Sequence, residues 1–426
     1  MKKILHITTH LGGGVGKALS DLLIFEKNNS SDIHDLILLE EPENPFYINK
    51  VINANSNVSI CNNIDSISEK IKLYDVVILH WWHHPLMTQF LYNFPKEKIR
   101  LIIWVHISGC TYPIAPQNFL EKANHILFTT PYSYENPFWT NKDKLLQKSD
   151  VVYGLGQLES TNIVHEPNKT LTIGYVGTLN YSKLHPNYLN FCKAAINTFP
   201  NIKFVLVGSI NEELKQDVIK NNLVNNFEFV GYVDNIYMQL SKFDIFAYLL
   251  NPYHFGATEN ALLEAMAYEL PVIALNQSVE KHIIKNMETG ILVENEEEFV
   301  SAIKLLVENN ALKEKISKNA GNYIKQTYSF ENNVLKLNNI IEKVYKEYKK
   351  IFSFNDMGST PFEWFLSGVG KEKEEFIKFV NDEIKLDSLE PIFKEKSKSS
   401  INHFYRYFKD DKFINKLYNF INNNLT

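Results

Sequence analysis

Apolar residues in the first 155 positions fall into short runs: "KKILHITT", "IHDLILLE", "YDVVILHW", "KIRLIIWVHI" and "HILFTTP". Each run has strand length, and the stretches between them place apolar residues three and four apart. Behind the first run, Val15, Ala18, Leu19, Leu22 and Leu23 keep that helical spacing. Strands apolar on both faces, alternating with helices, predict a parallel sheet between helical layers. "LGQLESTNIVHEPNKT", from about 155 to 170, has no period and carries a proline, which reads as a linker. A second series follows: "LTIGYVGT", "IKFVLVGS", "FEFVGYV", "DIFAYLL", "PVIALN" and "GILVE", separated by helical stretches such as "NYLNFCKAAINTF". Residues 298–350 read as helical and heavily charged. From 351 to 426, "STPFEWFLSGVGKEKEEFIKFV" and "SINHFYRYFKDDKFINKLYNFI" read as aromatic-rich amphipathic helices. The pattern predicts an α/β protein with two doubly wound domains, 1–160 and 161–335, facing a central cleft, and a helical return segment and extension over 336–426. Ligands of such sheets gather beyond the carboxyl ends of the strands.

Composition narrows this picture. The chain of 426 residues is too long for one ordinary core, and 45% apolar with 22% charged residues is the balance of a soluble globular protein. A formal charge of −5 argues against a general nucleic-acid binder. Cys61, Cys110 and Cys192 are scattered, without disulfide or zinc spacing, as expected of a reducing cytoplasm. The apolar run after the first lysines is broken by "TTHLGGG", so no signal peptide is expected, and no stretch has the length of a membrane span.

"THLGGGVGKALSDLL" invites a nucleotide-loop reading and fails it. The residue five before Gly16 is Leu11, and Ala18 stands where a magnesium-binding hydroxyl is needed. A dinucleotide fingerprint counted from Gly12 and Gly14 puts its third glycine on Lys17. Two readings remain for Gly13, Gly14 and Gly16: a helix N-terminus that holds an anion, or a tight turn that serves packing. Lys17 meets a phosphate or solvent.

The richest stretch is "YHFGATENALLEAMAYELPVIA", residues 253–274. Thr258 reads as an N-cap and Glu259 as a first-turn acid of a helix running to about Tyr268, before Pro271 opens the next strand. Ala261, Leu262, Ala265 and Met266 form an apolar stripe that Glu264 interrupts. Glu264 is then either an acceptor for a ligand or an exposed helix residue. "HWWHHP" crowds His80, His83 and His84, but no further ligand stands at a recognisable spacing, so no metal is expected there. Trp81 and Trp82 pack or contact an acceptor.

"ENALLEAMAYELPVIA" resembles the signature of the family 4 retaining glycosyltransferases, which have the GT-B fold of two Rossmann-like domains. The resemblance extends over most of residues 1–350 through "GGVG", "VGTLNYSK", "FVLVGS", "FVGYVDN", "TGILVENEEEFVSAI" and "YSFENN". It implies that Glu264 accepts hydrogen bonds from the ribose of a nucleotide sugar. The first glutamate of the family pair falls on Gly256, with Glu259 and Asn260 as substitutes. Lys183 matches the lysine that neutralises the diphosphate, Thr178 replaces the family arginine, and His106 in "WVHISG" matches the histidine facing the transferred sugar. Without the resemblance, Lys183 reads as a surface lysine and His106 as a structural histidine at a strand end. His106, Lys183 and Glu264 are thus the implied catalytic residues, and Gly13, Gly14, Gly16, Thr178, Gly256, Thr258, Glu259 and Asn260 the implied substrate-binding ones.

The implied activity is retaining transfer from a nucleotide-sugar donor to a glycan or lipid-linked acceptor, without cofactor or required metal. Bacterial cell-surface polysaccharide or lipopolysaccharide synthesis is the family's commonest setting. The expected location is the cytoplasm or the inner face of its membrane, with peripheral membrane contact left open and no nucleic-acid partner. A nucleotide-sugar epimerase and a non-catalytic binding protein are the rivals. The C-terminal helices form a packed layer, an oligomer interface or a lipid-facing surface.

Overall fold

In the computed structural model, which describes residues 1–158, 170–233 and 235–424, the chain forms two compact units. The expected linker lies mostly outside the described residues. The first unit comprises residues 1–157, 255–258 and 330–426, and the second 158–254 and 259–329. Where the sequence pattern sets a boundary at 335, the units divide after Ser329, because the helix Phe330–Tyr345 buries its apolar stripe on the first sheet.

The first sheet contains β1 (Lys3–Thr8), β2 (Ile33–Leu38), β3 (Val58–Ile60), β4 (Val76–Trp81), β5 (Leu101–Val105), β6 (His125–Phe128) and β7 (Ser149–Val151). All pairings are parallel, in the order β3-β2-β1-β4-β5-β6-β7. The sense of winding reverses between β1 and β4, which makes the carboxyl ends of those strands the place for a ligand. β4 and β5 are buried along their whole length, as their unbroken apolar runs require. One face packs under the helices Gly13–Asn29 and Phe330–Tyr345 through Leu19, Leu23, Leu337 and Ile341. The other is covered by Met87, Phe90 and Leu91 of the helix Pro85–Tyr92.

The second sheet repeats the plan with β8 (Thr172–Val176), β9 (Lys203–Val207), β10 (Phe227–Gly231), β11 (Ile245–Tyr248), β12 (Val272–Leu275) and β13 (Ile291–Val293), in the order β10-β9-β8-β11-β12-β13. The turns after β8 and β9 approach so closely that a Cβ on Gly208 would lie 1.9 Å from the Gly177 carbonyl oxygen. Only glycine fits there.

The C-terminal helices Pro361–Ser367, Lys373–Val380, Pro391–Lys394, Ile401–Tyr407 and Lys412–Asn424 form a packed aromatic layer of the first unit. Phe365 is fully buried at its centre, with ring centroids of Phe404, Phe376 and Tyr112 at 5.3, 5.7 and 6.1 Å. Among the described residues no helix is long and apolar enough to cross a membrane.

Candidate functional site

The glycine loop opens the helix Gly13–Asn29, and its glycines serve different ends. Gly16 is a packing residue: a Cβ there would lie 2.7 Å from Tyr47 Cδ2 and 3.0 Å from the Leu11 carbonyl carbon. Gly13, with φ of 54°, and Gly14 are exposed and line a cavity of about 530 Å³ at the carboxyl end of the first sheet, together with Trp82, His84 and His106. His106 follows β5 and its backbone N–H donates to the Trp81 carbonyl at 2.8 Å. Burial lowers its pKa to about 3, so the ring is neutral.

Glu40, Glu41 and Glu43 all line this cavity, and Glu40 is the one held by its histidine and tyrosine neighbours. Tyr407 Oη donates to its Oε2 at 2.6 Å, and His84 Nε2 stands 3.4 Å from its Oε1. Burial works to raise its pKa, and the His84 and Tyr407 bonds overcome that and lower it. His10, Glu40 and His84 bring three ligand-type atoms within 4.8 Å of one another, a grouping that the spacing of "HWWHHP" hides. The Leu86 backbone N–H donates to His84 Nδ1 at 3.2 Å, so Nε2 carries the ring proton and faces Glu40 as a donor. The set is arranged for hydrogen bonding, with His84 capping the helix Pro85–Tyr92. His83 is fully buried and bonds the Phe365 carbonyl oxygen at 3.2 Å. Trp81 is core, and Trp82 reaches the cavity.

The expected N-cap at Thr258 is corrected by the structure. Its hydroxyl accepts from the Gly154 N–H at 3.1 Å and donates to the Thr129 carbonyl at 3.3 Å. Gly256 likewise belongs to the first unit, its carbonyl accepting from the Ser108 N–H at 3.1 Å. The helix begins at Asn260, and Glu259 is its N-cap residue in a left-handed backbone, φ 53°, rather than a first-turn acid. This conformation turns the Glu259 side chain away from the helix and into the second unit's core.

There Glu259 becomes the centre of a charged cluster. Lys183 Nζ and Tyr248 Oη each donate to Oε2 at 2.6 Å, and His254 Nε2 stands 3.1 Å from Oε1. His254 Nδ1 lies 2.7 Å from the Asn251 carbonyl oxygen, so both ring nitrogens face acceptors. Burial works to raise the Glu259 pKa, but Lys183 and His254 outweigh it and hold the carboxyl well below its ordinary range. Glu280 is the opposite case: burial, reinforced by the Glu259 charge, pushes its pKa up, and neither carboxyl oxygen has a hydrogen-bond partner among the described residues. Lys183 is therefore neither a solvated surface lysine nor an open phosphate site in this state. Its backbone is pinned by Asn180 and Asn251, at 3.0 and 2.9 Å.

Glu264 is 7% exposed, which excludes the exposed-helix reading. Asn260 begins the same helix with its side-chain oxygen buried and unpartnered among the described residues. Thr178 is exposed beside Gly177. The implied residues therefore divide between the units: Gly13, Gly14, Gly16, His106, Gly256 and Thr258 in the first, Thr178, Lys183, Glu259, Asn260 and Glu264 in the second. Tyr248, His254 and Glu280 escape a local reading of the sequence, although a histidine five residues before Glu259 was the available signal.

Two parallel doubly wound sheets with helices on their faces, and a helical extension, define the GT-B class of fold. Residues 156–323 match the family model for glycosyl transferases group 1. A curated relative is the capsular polysaccharide biosynthesis glycosyltransferase CapM of Staphylococcus aureus, 24% identical over 164 residues, 38% of this chain and 43% of that one. An uncharacterized 41.2 kDa protein in the cps region of Klebsiella pneumoniae is 22% identical over 325 residues, covering 69% and 86% of the two chains. The chain spans about two fifths of the length of the first curated relatives that it matches. Among solved structures, Anabaena HepE in complex with UDP and glucose superposes with a TM-score of 0.63 at 14% identity, covering 80% of this chain and 100% of that one.

Proposed function

We infer that the protein is a retaining glycosyltransferase of the family 4 type, moving a sugar from a nucleoside diphosphate to a hydroxyl of a glycan or lipid-linked acceptor. The observation that carries this reading is the group 1 match over residues 156–323, which contains Lys183, Glu259 and Glu264, on a GT-B fold. The capsular polysaccharide role of CapM and the cps-region relative support synthesis of a bacterial surface polysaccharide. With a lipid-linked acceptor, the work is done at the cytoplasmic face of a membrane.

In this mechanism Glu264 accepts the two ribose hydroxyls, as a carboxylate with several lone pairs is able to do. The incoming diphosphate draws Lys183 from Glu259, which keeps Tyr248 and His254 as partners. His106 holds a hydroxyl of the sugar. The bond from the anomeric carbon to the diphosphate breaks while the acceptor oxygen bonds on the same face, and the acceptor proton passes to the leaving phosphate oxygen. The helix N-terminus at Gly13 and Gly14 and the Lys183 ammonium stabilise phosphate charge. The reaction requires no metal and no cofactor.

The test is thermal stabilisation by UDP, GDP, ADP and CMP and their sugar conjugates, beside Glu264→Ala, followed by the anomeric configuration of the product. A shift with one nucleotide, lost in the variant, with a retained configuration supports the reading. No shift with any of them removes it. The closed Lys183–Glu259 pair favours a second reading, a nucleotide-sugar-binding protein without catalysis, which would bind donor yet neither transfer nor hydrolyse it. An epimerase would convert donor with no acceptor present.

A further inference from the structure

Four histidines stand in line on one face of the first sheet. His34 Nδ1 lies 3.0 Å from His6 Nε2, His6 Nδ1 lies 3.0 Å from His80 Nε2, and His80 Nδ1 lies 2.8 Å from His106 Nε2. The register explains the alignment. His6 pairs with Leu36 of β2 and Ile78 of β4, and His80 pairs with Trp104 of β5. His34, His80 and His106 each stand two positions from one of these partners, so the period of two puts all four rings on the same face. The line climbs diagonally across the strands and ends at His106 in the cavity.

A neutral imidazole has one donor and one acceptor nitrogen. Burial keeps all four rings neutral, lowering the pKa of His34 to about 4 and of His106 to about 3, with His6 and His80 also well below their ordinary value. The line therefore has two proton arrangements, with every N–H on Nε2 or every N–H on Nδ1. Its far end selects between them. Glu26, 1% exposed, places Oε2 at 3.7 Å from His34 Nε2, while its Oε1 accepts from Asn338 Nδ2 at 2.8 Å. Burial raises the Glu26 pKa and its Oε2 stops short of a hydrogen bond to His34; ionised, the carboxylate favours the proton on Nε2 through its charge. Each following ring then donates from Nε2 and accepts at Nδ1, and the Nδ1 lone pair of His106 is left over. No residue among those described hydrogen-bonds that nitrogen.

We propose that Glu26, His34, His6 and His80 are positioning residues that lock His106 in the tautomer whose Nδ1 accepts a hydrogen bond from a sugar hydroxyl. The identity of the hydroxyl rests on the glycosyltransferase reading; the tautomer does not. A wrong tautomer disables a catalytic imidazole without moving it.

The test is 15N NMR of the full-length protein with labelled histidine, beside Glu26→Gln. Glutamine keeps the Asn338 bond through its oxygen and turns its NH2 toward His34, so His34 Nε2 becomes an acceptor and every proton in the line moves to Nδ1. The expected result is a protonated Nε2 and bare Nδ1 at His106 in the native protein, exchanged in the variant. His34→Phe, which disconnects Glu26, should leave His106 a mixture of both forms. A native His106 protonated on Nδ1, or a tautomer indifferent to both variants, overturns the proposal. In a transfer assay Glu26→Gln should lower kcat about a hundredfold with little change in donor KM, and Glu26→Asp should restore most of it. A tautomer exchange with unchanged kcat overturns the hydroxyl-accepting role. An exchange in a protein with no transferase activity overturns the glycosyltransferase reading and leaves the lock standing.

Discussion

Lys183 donates to Glu259 across 2.6 Å, with 12% and 2% of the two side chains left exposed. The two are 76 residues apart in sequence, joined only because the turn after β8 and the left-handed residue before the helix Asn260–Ala267 meet.

Removing one partner of such a pair leaves a buried charge, which costs more than replacing both. Lys183→Met should therefore destabilise the protein by about 3 kcal/mol, and Lys183→Met combined with Glu259→Gln should recover most of that. Thermal unfolding of the two singles and the double checks it. A double variant destabilised by the sum of the two singles would mean that the pair carries no coupling.

In the proposed mechanism Glu264 accepts the ribose hydroxyls, so Glu264→Ala tests nucleotide binding. A hydrogen bond to a charged group is worth about 1.5–3 kcal/mol. Donor affinity or turnover should then fall roughly ten- to a hundredfold, at 1.4 kcal/mol per decade. Titration calorimetry with the nucleotide that stabilises the native protein measures this. An unchanged Kd and rate would remove Glu264 from the ribose.

What could be read in the sequence follows what is local. β4 and β5 announce themselves as unbroken apolar runs because both faces are buried. The edge strands Val58–Ile60 and Ser149–Val151 are three residues long and only partly buried, so nothing in their composition marks them. Glu264 and Lys183 were visible through a motif, whereas the partner of Lys183 was not, because the local pattern at Glu259 favours a first-turn acid and the backbone takes another course. His6, His34 and His80 appear in the sequence as polar residues in apolar strands, and His106 directly follows one. Their hydrogen bonds depend on register, which one strand's pattern does not encode.

Gly16→Ala separates packing from ligand binding in the glycine loop. The added Cβ would lie 2.7 Å from the Tyr47 ring and 3.0 Å from the Leu11 backbone. Overpacking of this kind costs about 1–3 kcal/mol. The melting temperature should fall in the absence of any nucleotide. A variant as stable as the native protein, yet weakened in nucleotide binding, would return Gly16 to the ligand.

Phe365→Ala tests whether the C-terminal layer is part of the first unit's core. Truncation of a fully buried phenylalanine costs about 3–5 kcal/mol. The layer also supplies Tyr407 and His403 to the cavity, so the loss should be accompanied by a change in the cavity's lining. An unaffected melting temperature would show the layer to be a separate appendage.

Acid should unfold the first unit before the second. Burial lowers the pKa of His10, His34 and His83 to about 4 and of His106 to about 3, and all four belong to the first unit. In the unfolded chain a histidine titrates near 6.5, so between about 6.5 and 4 the unfolded state binds more protons than the folded one. Stability is therefore complete above about pH 6.5 and lost as the pH falls, by about 1.4 kcal/mol per pH unit for each such histidine. Four of them exhaust a typical margin of about 5–15 kcal/mol near or above pH 4. In the second unit the depressed carboxyl of Glu259 has the same sign but acts lower, since its contribution is lost only as pH falls below the ordinary carboxylate range. All five tryptophans, Trp81, Trp82, Trp104, Trp139 and Trp364, lie in the first unit, which makes their fluorescence its own reporter. Tryptophan fluorescence should change with a midpoint between pH 6.5 and 4, ahead of the full loss of helical circular dichroism. Coincident transitions confined below pH 4 would show that the buried histidines do not set acid stability.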